Sequence, residues 1–460
     1  MRYLPHTEAE ITAMLTRIGV PSIDALFADV PEALRQRASL DLPPALAEPQ
    51  LMAHLTELAA RSQGVGKTCF LGGGFYDHHI PPAVDQLLLR SEFYTAYTPY
   101  QAEVSQGTLQ AIFEFQTVVC ELLGMDVANA SMYDAASATA EAVLMARRLT
   151  GRTRVLIGAT LHPHYQACIR TYLSGCGGTD DIHWLPSAAT GQCDLSALRA
   201  ALDDSVAAVV VGYPNALGVV EDLRAIHTCT QPHGALLVST TAEAYALGVL
   251  EAPGKLGVDI AVAEGQSLAT APSYGGPGVG LLACRQAHLR QLPGRLVGET
   301  VDSAGNRGFV LTLSTREQHI RRERATSNIC TNHGLVALAL LFRTALLGRT
   351  GFAQAAQLCF ARSEYLKAGI AALPALSLPY AGPTVNEFVV RTAAGIDAAA
   401  LLSQLAQSHL LVGPTLTTLG FDAPQDFLVA VTEKHARADL DALLHALSEA
   451  CARCRPSTAA

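Results

Sequence analysis

The chain is poor in lysine, in tryptophan and in charge of either sign. Among its 460 residues are only four lysines and one tryptophan, and charged residues make up 16% of the sequence. The net charge at pH 7 is −9, so the sequence lacks the broad basic surface that nucleic-acid binding requires. With 50% hydrophobic residues, it favours a large core and buried subunit surfaces.

Features of membrane and secreted proteins are also missing. No apolar run reaches the ~18 residues of a membrane span. The opening MRYLPHTEAE has no apolar stretch of the kind that signal peptides carry. The 11 cysteines do not follow the spacing of a disulfide framework. These absences predict a cytoplasmic protein with reduced cysteines and no membrane partner.

Short apolar segments alternate with helical patterns through the middle of the chain. The predicted strands are 155–158, 182–185, 206–212, 235–239, 259–263 and 279–283, and the predicted helices between them are 163–173, 195–202 and 223–231. This alternation indicates an α/β fold with a large, mainly parallel sheet covered on both faces. Because ligands bind at the carboxyl ends of such strands, segments 213–215, 240–243 and 264–267 are expected to surround one crevice.

Three domains are predicted from the change in pattern along the chain. Residues 1–68 form an N-terminal helical arm, which opens with a capping-box pattern at Thr7 and Glu10. Residues 69–314 form the large α/β domain. Residues 315–455 form a smaller C-terminal α+β domain.

A strand, a polar loop, a glycine turn and a second strand follow one another in AVAEGQSLATAPSYGGPGVG, residues 261–280. In pyridoxal-phosphate enzymes, the loop after such a strand often carries the lysine that binds the cofactor as a Schiff base. Here the polar positions are Glu264, Gln266 and Ser267, and the loop has no lysine. One alternative is a self-sufficient cofactor enzyme that uses Lys255, although that residue precedes the strand at the amino end of the sheet.

Tyr94, Tyr97 and Tyr100 recur at three-residue spacing among glutamines and a glutamate. This cluster is too polar for an ordinary core and predicts either a subunit interface or a pocket wall. Ser137 lies near the first turn of a helix predicted to begin at Ala135. That position suits an ordinary helix cap and an anion site equally well.

The adjacent histidines His78 and His79 could suggest a metal site. Adjacent side chains point apart, and no carboxylate lies at ligand spacing. We therefore expect structural polar contacts here and no metal.

Several long motifs resemble one family over essentially the whole chain. The segment 70–134, which begins FLGGGFYDHHIPP, resembles the N-terminal half of the glycine cleavage system P-protein. TREQHIRRERATSNICTN at 315–332, EGQSL at 264–268 and the opening RYLPHT resemble it as well. The length is similar to that of the split bacterial form, in which two homologous subunits replace one double-length chain, and the motifs resemble its first, alpha subunit.

The resemblance implies the fold of type I pyridoxal-phosphate-dependent transferases and a part in glycine catabolism. The family decarboxylates glycine on pyridoxal phosphate and passes the aminomethyl group to the lipoyl arm of the H-protein. The position that the cofactor-binding lysine has in the partner subunit corresponds to Gln266 or Ser267 in this chain. The aspartate that pairs with the pyridine nitrogen of the cofactor would lie near Thr241. The cofactor is therefore expected mainly on subunit 2, in an α2β2 heterotetramer.

The same resemblance provides candidate residues but no certain catalytic one. The pocket or interface candidates are Tyr94, Tyr97, Tyr100, Ser137, Glu264, Gln266, Ser267 and Asn328. In dimers of this fold, residues of one subunit help to form the other's pocket, which suggests that the segment Tyr94–Tyr100 reaches the partner. The alternative is a catalytically silent structural or regulatory homologue.

Overall fold

The computed structural model describes residues 5–38, 40–62, 64–176 and 178–454. It divides into two compact units, Met1–Val65 and Gly66–Ala460. The last residue of the predicted C-terminal domain, Arg455, lies outside the described residues, and the three-domain division stays a prediction.

The described residues of the first unit contain three α-helices. Its helices are α1 (Glu8–Ile18), α2 (Glu32–Arg37) and α3 (Glu48–Ala60). Thr7 and Glu10 form the predicted capping box: Glu10 Oε2 accepts a hydrogen bond from the Thr7 N–H at 2.6 Å, and Gly19 ends the helix in the left-handed region. No residue of these three helices is buried, so their apolar side chains are in contact with solvent in this chain.

The second unit contains all the described strands. They are β1 (Thr68–Leu71), β2 (Val127–Ala128), β3 (Arg154–Gly158), β4 (Ile182–Leu185), β5 (Val206–Gly212), β6 (Leu236–Thr241), β7 (Ile260–Glu264), β8 (Gly280–Cys284), β9 (Leu296–Val301), β10 (Arg307–Thr312), β11 (Leu376–Ser377), β12 (Glu387–Thr392), β13 (Leu410–Gly413) and β14 (Asp426–Ala430).

The helices of the second unit connect and cover these strands. They are α4 (Pro82–Leu88), α5 (Ser91–Tyr94), α6 (Gln106–Leu123), α7 (Ala135–Thr150), α8 (Pro163–Ser174), α9 (Leu195–Ala201), α10 (Leu223–Thr230), α11 (Gln266–Ala269), α12 (Gln318–Arg321), α13 (Gly334–Ala371), α14 (Ala398–Gln407), α15 (Leu416–Leu419) and α16 (Arg437–Cys454).

A seven-stranded sheet in the order β2-β8-β7-β6-β5-β3-β4 forms the centre of the second unit. Strands β3 to β7 are parallel, and β2 and β8 are antiparallel to their neighbours. Every residue of β5 is buried, and its side chains alternate between two cores: Val209 and Val211 lie in one, Ala208 and Val210 in the other. The predicted sheet, covered on both faces, is therefore confirmed, with each predicted strand within two residues of the observed bounds.

A second layer follows in the C-terminal part of the unit. Strands β11, β12 and β14 form an antiparallel sheet, and β13 pairs in parallel with β1. Phe70 on β1 packs in the same core as Phe388 and Phe427. The strand at the start of the second unit therefore belongs to its C-terminal layer, a long-range pairing that the sequence analysis did not anticipate.

Helix α13 spans 38 residues and bends at Gly348, whose φ of 61° and ψ of 176° are not helical. By length and composition alone it is the one helix of the described residues that is long and apolar enough to cross a membrane. It packs against α4, α6 and α11 in this unit. Since core helices of soluble proteins meet the same criterion, it is weak evidence for a membrane span.

Candidate functional site at the carboxyl ends of the sheet

The loops that follow β5 and β6 line a cavity at the carboxyl end of the sheet, where the crevice is predicted, but the third predicted segment, 264–267, does not line it. The cavity at this place measures about 20 Å³. Its lining includes Gly73, His162, Asn215, Glu243 and Glu387. A water molecule needs roughly 10–15 Å³ of such space. The crevice therefore exists, but in this chain it has room for only one or two waters.

Glu264, the last residue of β7, extends its carboxylate to the N-terminus of α7. Its oxygens accept hydrogen bonds from the backbone N–H groups of Ala135 at 2.9 Å, Val279 at 2.9 Å and Gln266 at 3.1 Å. Burial raises the pKa of Glu264 to about 7, and the N–H donors oppose that rise. The first amide of α7, which is free to bind an anion in many proteins, is thus occupied by an internal carboxylate.

Asp134 occupies a second amide of the same helix terminus. Its Oδ1 accepts a hydrogen bond from the Ser137 N–H at 2.7 Å, and the Ser137 hydroxyl donates to the Asp134 carbonyl at 3.1 Å. Of the two interpretations of Ser137, the geometry is that of an ordinary helix cap. The side chains of Glu264 and Asp134 thus take up two of the N–H groups that an anion such as a phosphate would use at this helix N-terminus.

The two residues at the position expected for the cofactor lysine, Gln266 and Ser267, form hydrogen bonds within the chain. Gln266 and Ser267 are both buried. The Gln266 amide donates to the Thr270 carbonyl at 2.6 Å, and the Ser267 hydroxyl donates to Glu243 Oε1 at 3.0 Å. Thr241 donates its hydroxyl to the Tyr213 carbonyl at 2.7 Å. A neutral threonine cannot supply the negative charge that holds a pyridine nitrogen protonated.

Glu387 on β12 is a site residue that the sequence analysis missed. It accepts hydrogen bonds from the Tyr76 hydroxyl at 2.8 Å and the Gly73 N–H at 2.6 Å, and burial raises its pKa to about 7. A Cβ atom at Gly72 would lie 1.9 Å from Glu387 Oε1, so the glycine run permits this close approach. The only sequence signal for it is the run Gly72–Gly74 itself.

His162 also lines the cavity. Its Nε2 donates to the Gly73 carbonyl at 2.8 Å, and its Nδ1 accepts the His164 N–H at 3.2 Å. Burial lowers the pKa of His162 to about 4, so the ring is neutral at physiological pH.

His78 makes the polar contacts that the sequence predicts, while its neighbour His79 is exposed. His78 donates from Nδ1 to Glu433 at 2.5 Å and from Nε2 to Glu243 at 3.0 Å. Burial lowers the pKa of His78, but the two carboxylates raise it by more, to about 9. No local spacing in the sequence reveals these two carboxylates, because both are more than 160 residues away from His78.

The tyrosine candidates lie on the surface and do not line this cavity. Tyr94, Tyr97 and Tyr100 are 60%, 77% and 57% exposed. Tyr94 and Tyr97 line a surface pocket of about 210 Å³, and Tyr100 lines another of about 230 Å³, where Arg295 donates to its hydroxyl at 2.9 Å. Asn328 is also exposed. The structure thus separates the candidates into a buried group (Ser137, Glu264, Gln266 and Ser267) and exposed residues (Tyr94, Tyr97, Tyr100 and Asn328).

A comparison with protein families matches residues 1–447 to the glycine cleavage system P-protein. The chain belongs to this family. It is 54% identical to a probable glycine dehydrogenase (decarboxylating) subunit 1 of Sorangium cellulosum over 451 residues, which cover 97% of this chain and 99% of the relative. It is 48% identical to the protein of the same name from Chlorobium chlorochromatii, over 97% of this chain and 99% of the relative.

Solved structures agree with the family assignment. A crystal structure of glycine decarboxylase (P-protein) in inhibitor-bound form superposes with a TM-score of 0.88 at 43% identity, over 98% of this chain and 100% of that one. A sphingosine-1-phosphate lyase of Burkholderia pseudomallei shares the fold alone, with a TM-score of 0.66 at 17% identity, over 93% of this chain and 95% of that one. The predicted fold class, that of type I pyridoxal-phosphate enzymes, is confirmed.

The residues of this P-protein family member do not fit pyridoxal phosphate. The loop after β7 lacks a lysine, and Lys67, Lys367 and Lys434 bond to Ala406, Glu364 and Asp77 elsewhere. Lys255 precedes β7, at the opposite end of the strand from Glu264. Glu264 and Asp134 occupy the helix terminus where a phosphate would bind, and the crevice holds about 20 Å³.

Proposed function

We propose that this chain is the first subunit of a two-subunit glycine dehydrogenase (decarboxylating), an oxidoreductase of the glycine cleavage system. The observation that carries the proposal is its 54% identity to a relative of that name over 99% of the relative's length. The assembled enzyme decarboxylates glycine and transfers the remaining aminomethyl group to the lipoyl arm of the H-protein.

The pyridoxal phosphate of the assembled enzyme is bound by subunit 2. Support comes from the carboxylates of Glu264 and Asp134 at the N-terminus of α7, from the small crevice and from the missing lysine. Each of these three features acts against a different part of the cofactor: the phosphate, the ring and the aldehyde. This chain's contribution is therefore structural support and surface around the partner's site, without a covalent cofactor of its own.

The surface offered to subunit 2 includes the exposed tyrosine segment. Three tyrosines that are 57–77% exposed within seven residues leave a large apolar area uncovered in the isolated chain. Asn328 is a further candidate on the exposed surface. We propose an α2β2 assembly, in the cytoplasm, where cysteines such as Cys193, Cys284 and Cys330 stay as free thiols.

Activity measurements on separate and combined subunits test this proposal. Glycine decarboxylation, measured as exchange of labelled bicarbonate into glycine with lipoylated H-protein present, is expected only when both subunits are combined. Activity of this chain alone would overturn the assignment of the cofactor to subunit 2. If the two subunits form a complex whose activity is no higher than that of subunit 2 alone, the result would instead favour the catalytically silent structural or regulatory homologue.

A further inference from the structure

Three potential metal ligands from distant parts of the chain converge beside the crevice. They are His78 in the loop after β1, Cys359 on α13 and Glu433 after β14. One ligand atom of each lies within 4.8 Å of the other two. His78 and Cys359 are buried, and the Glu433 side chain is 14% exposed, which leaves a narrow approach from solvent.

One distance in this cluster already matches a tetrahedral zinc site, and a second does so after a small side-chain rotation. Bonds of about 2.0–2.1 Å to nitrogen and oxygen and 2.3 Å to sulfur place neighbouring N and O ligands about 3.3 Å apart, and S and O ligands about 3.6 Å apart. Cys359 Sγ lies 3.7 Å from Glu433 Oε2, already at this separation. His78 Nδ1 lies 2.5 Å from the same oxygen, so a rotation that opens this contact by about 0.8 Å admits the ion.

The second nitrogen of His78 is oriented as it is in many zinc sites. Nε2 donates to the Glu243 carboxylate at 3.0 Å, an arrangement that fixes the tautomer and leaves Nδ1 for the metal. Glu243 is itself held by the Tyr245 N–H at 2.8 Å and the Ser267 hydroxyl at 3.0 Å. The ring of His78 stacks on Tyr245 at 3.9 Å between centroids. The imidazole is therefore preorganised before any ion binds.

We propose that His78, Cys359 and Glu433 form a binding site for a thiophilic divalent cation of the zinc class. One thiolate, one imidazole and one carboxylate suit zinc, whereas magnesium and calcium prefer oxygen ligands alone. The charges balance: the ion replaces one proton of the His78 imidazolium and one of the Cys359 thiol, so a 2+ charge replaces two protons. The bound ion connects the loop after β1, helix α13 and the loop after β14, and its role is structural.

The test is metal content and cobalt spectroscopy of the full-length chain. After dialysis against equimolar zinc and then metal-free buffer, we expect about one zinc per chain by elemental analysis in the wild type and a loss of at least tenfold in Cys359→Ser. Cobalt(II) in place of zinc is expected to give a thiolate-to-cobalt charge-transfer band that Cys359→Ser abolishes. Cys330→Ser, at an exposed cysteine, is the matched control and should keep both signals.

Two results would overturn the proposal. One is zinc retention in the wild type that is no higher than in Cys359→Ser. The other is a charge-transfer band that survives in Cys359→Ser, because the thiolate would then come from another cysteine. Cys359→Ser is nearly isosteric with the wild type and keeps the His78–Glu433 contact, so its effect reports metal binding. His78→Ala is a poorer test, because it would leave the buried carboxylates of Glu243 and Glu433 unpaired and so destabilise the fold.

Discussion

Glu264 is a residue whose burial has a measurable consequence for stability. Its pKa is raised from 4.5 to about 7, so between these values the folded chain binds a proton that the unfolded chain does not. The contribution of this proton to stability is fully present below about pH 4.5 and is lost as the pH rises through 7. This pH dependence has the opposite sign to that of a carboxylate in a salt bridge, whose contribution to stability is lost as the pH falls.

Replacing Glu264 with Gln removes this titration. We expect the stability of the wild type to fall relative to Glu264→Gln, by on the order of 3 kcal/mol between pH 4.5 and 8, since one pKa unit corresponds to about 1.4 kcal/mol. Urea unfolding at several pH values measures the difference. Glu57→Gln, at a side chain that is 65% exposed, is the control. Parallel pH profiles for the wild type and Glu264→Gln would show that the carboxylate is ionised throughout.

The close approach of the glycine run to Glu387 gives a second prediction for single residues. A Cβ atom at Gly72 would lie 1.9 Å from Glu387 Oε1 and 2.9 Å from Ala430 Cβ. Gly72→Ala is expected to destabilise the chain by about 1–3 kcal/mol, the usual cost of overpacking. Gly107→Ala, in α6 with no atom within 4 Å of its added Cβ, should stabilise it by about 0.5–1 kcal/mol. Equal unfolding midpoints for both variants would contradict this account.

For individual residues, the sequence predicts which loops lie close together but not which atoms form hydrogen bonds. Glu264, Gln266 and Ser267 were predicted at the crevice because they follow an apolar strand. The bond from Glu264 to Ala135 spans 129 residues, and the bond from Gly73 to Glu387 spans 314. Such contacts depend on how whole layers pack, and no local pattern in this sequence encodes them.

Among the elements, helix α13 contains two glycines in contrasting conformations. Gly348 has a φ of 61° and a ψ of 176°, a region that residues other than glycine occupy at a cost of about 1–3 kcal/mol. Gly351 has no positive φ and lies three residues further along the same helix. A Cβ atom added at either glycine would have no neighbouring atom closer than 3.4 Å. The two alanine variants therefore differ in the cost of the backbone conformation and not in steric crowding.

We therefore expect Gly348→Ala to destabilise the chain by about 1–3 kcal/mol and Gly351→Ala to stabilise it by up to about 1 kcal/mol. Thermal unfolding of the two variants beside the wild type measures both effects. A stabilising Gly348→Ala would mean that α13 runs straight through this position in solution.

The tyrosine segment gives a prediction for an element at a subunit surface. Tyr97 is 77% exposed in the isolated chain, so Tyr97→Ala should leave its unfolding midpoint unchanged. If subunit 2 covers the segment, the same variant is expected to weaken assembly by about 1–3 kcal/mol, which is five- to 150-fold in the dissociation constant. Tyr97→Phe keeps the ring and serves as the control. Unchanged subunit affinity in Tyr97→Ala, measured by analytical ultracentrifugation, would exclude Tyr97 from the interface.

Elements with strong local patterns were predictable and those that depend on distant partners were not. The strands of the large sheet are short apolar runs bounded by turns, and their bounds follow from the sequence. The pairing of β9 with β10, an antiparallel hairpin, was missed because glycines and charged residues interrupt the apolar residues of both strands, so that neither strand shows a regular apolar alternation. The pairing of β1 with β13 joins positions about 340 residues apart and has no local signal.

For the whole molecule, the fold of a cofactor enzyme is retained although the residues of its cofactor site are changed. The sheet and its covering helices superpose on glycine decarboxylase with a TM-score of 0.88. Within that fold, Glu264 and Asp134 accept hydrogen bonds from the N-terminus of α7, and the loop after β7 contains Gln266 and Ser267 but no lysine. These features are the basis of the proposal that subunit 2 binds the cofactor.

The central claim is that this chain does not bind pyridoxal phosphate by itself. The most direct test is a titration of the purified chain with pyridoxal phosphate, followed by visible absorbance, borohydride reduction and peptide mapping. The account predicts no internal-aldimine band and no reduced adduct on any of the four lysines, with both appearing on subunit 2 once it is added. A band with a reduced adduct on Lys255, or on another lysine of this chain, would contradict it.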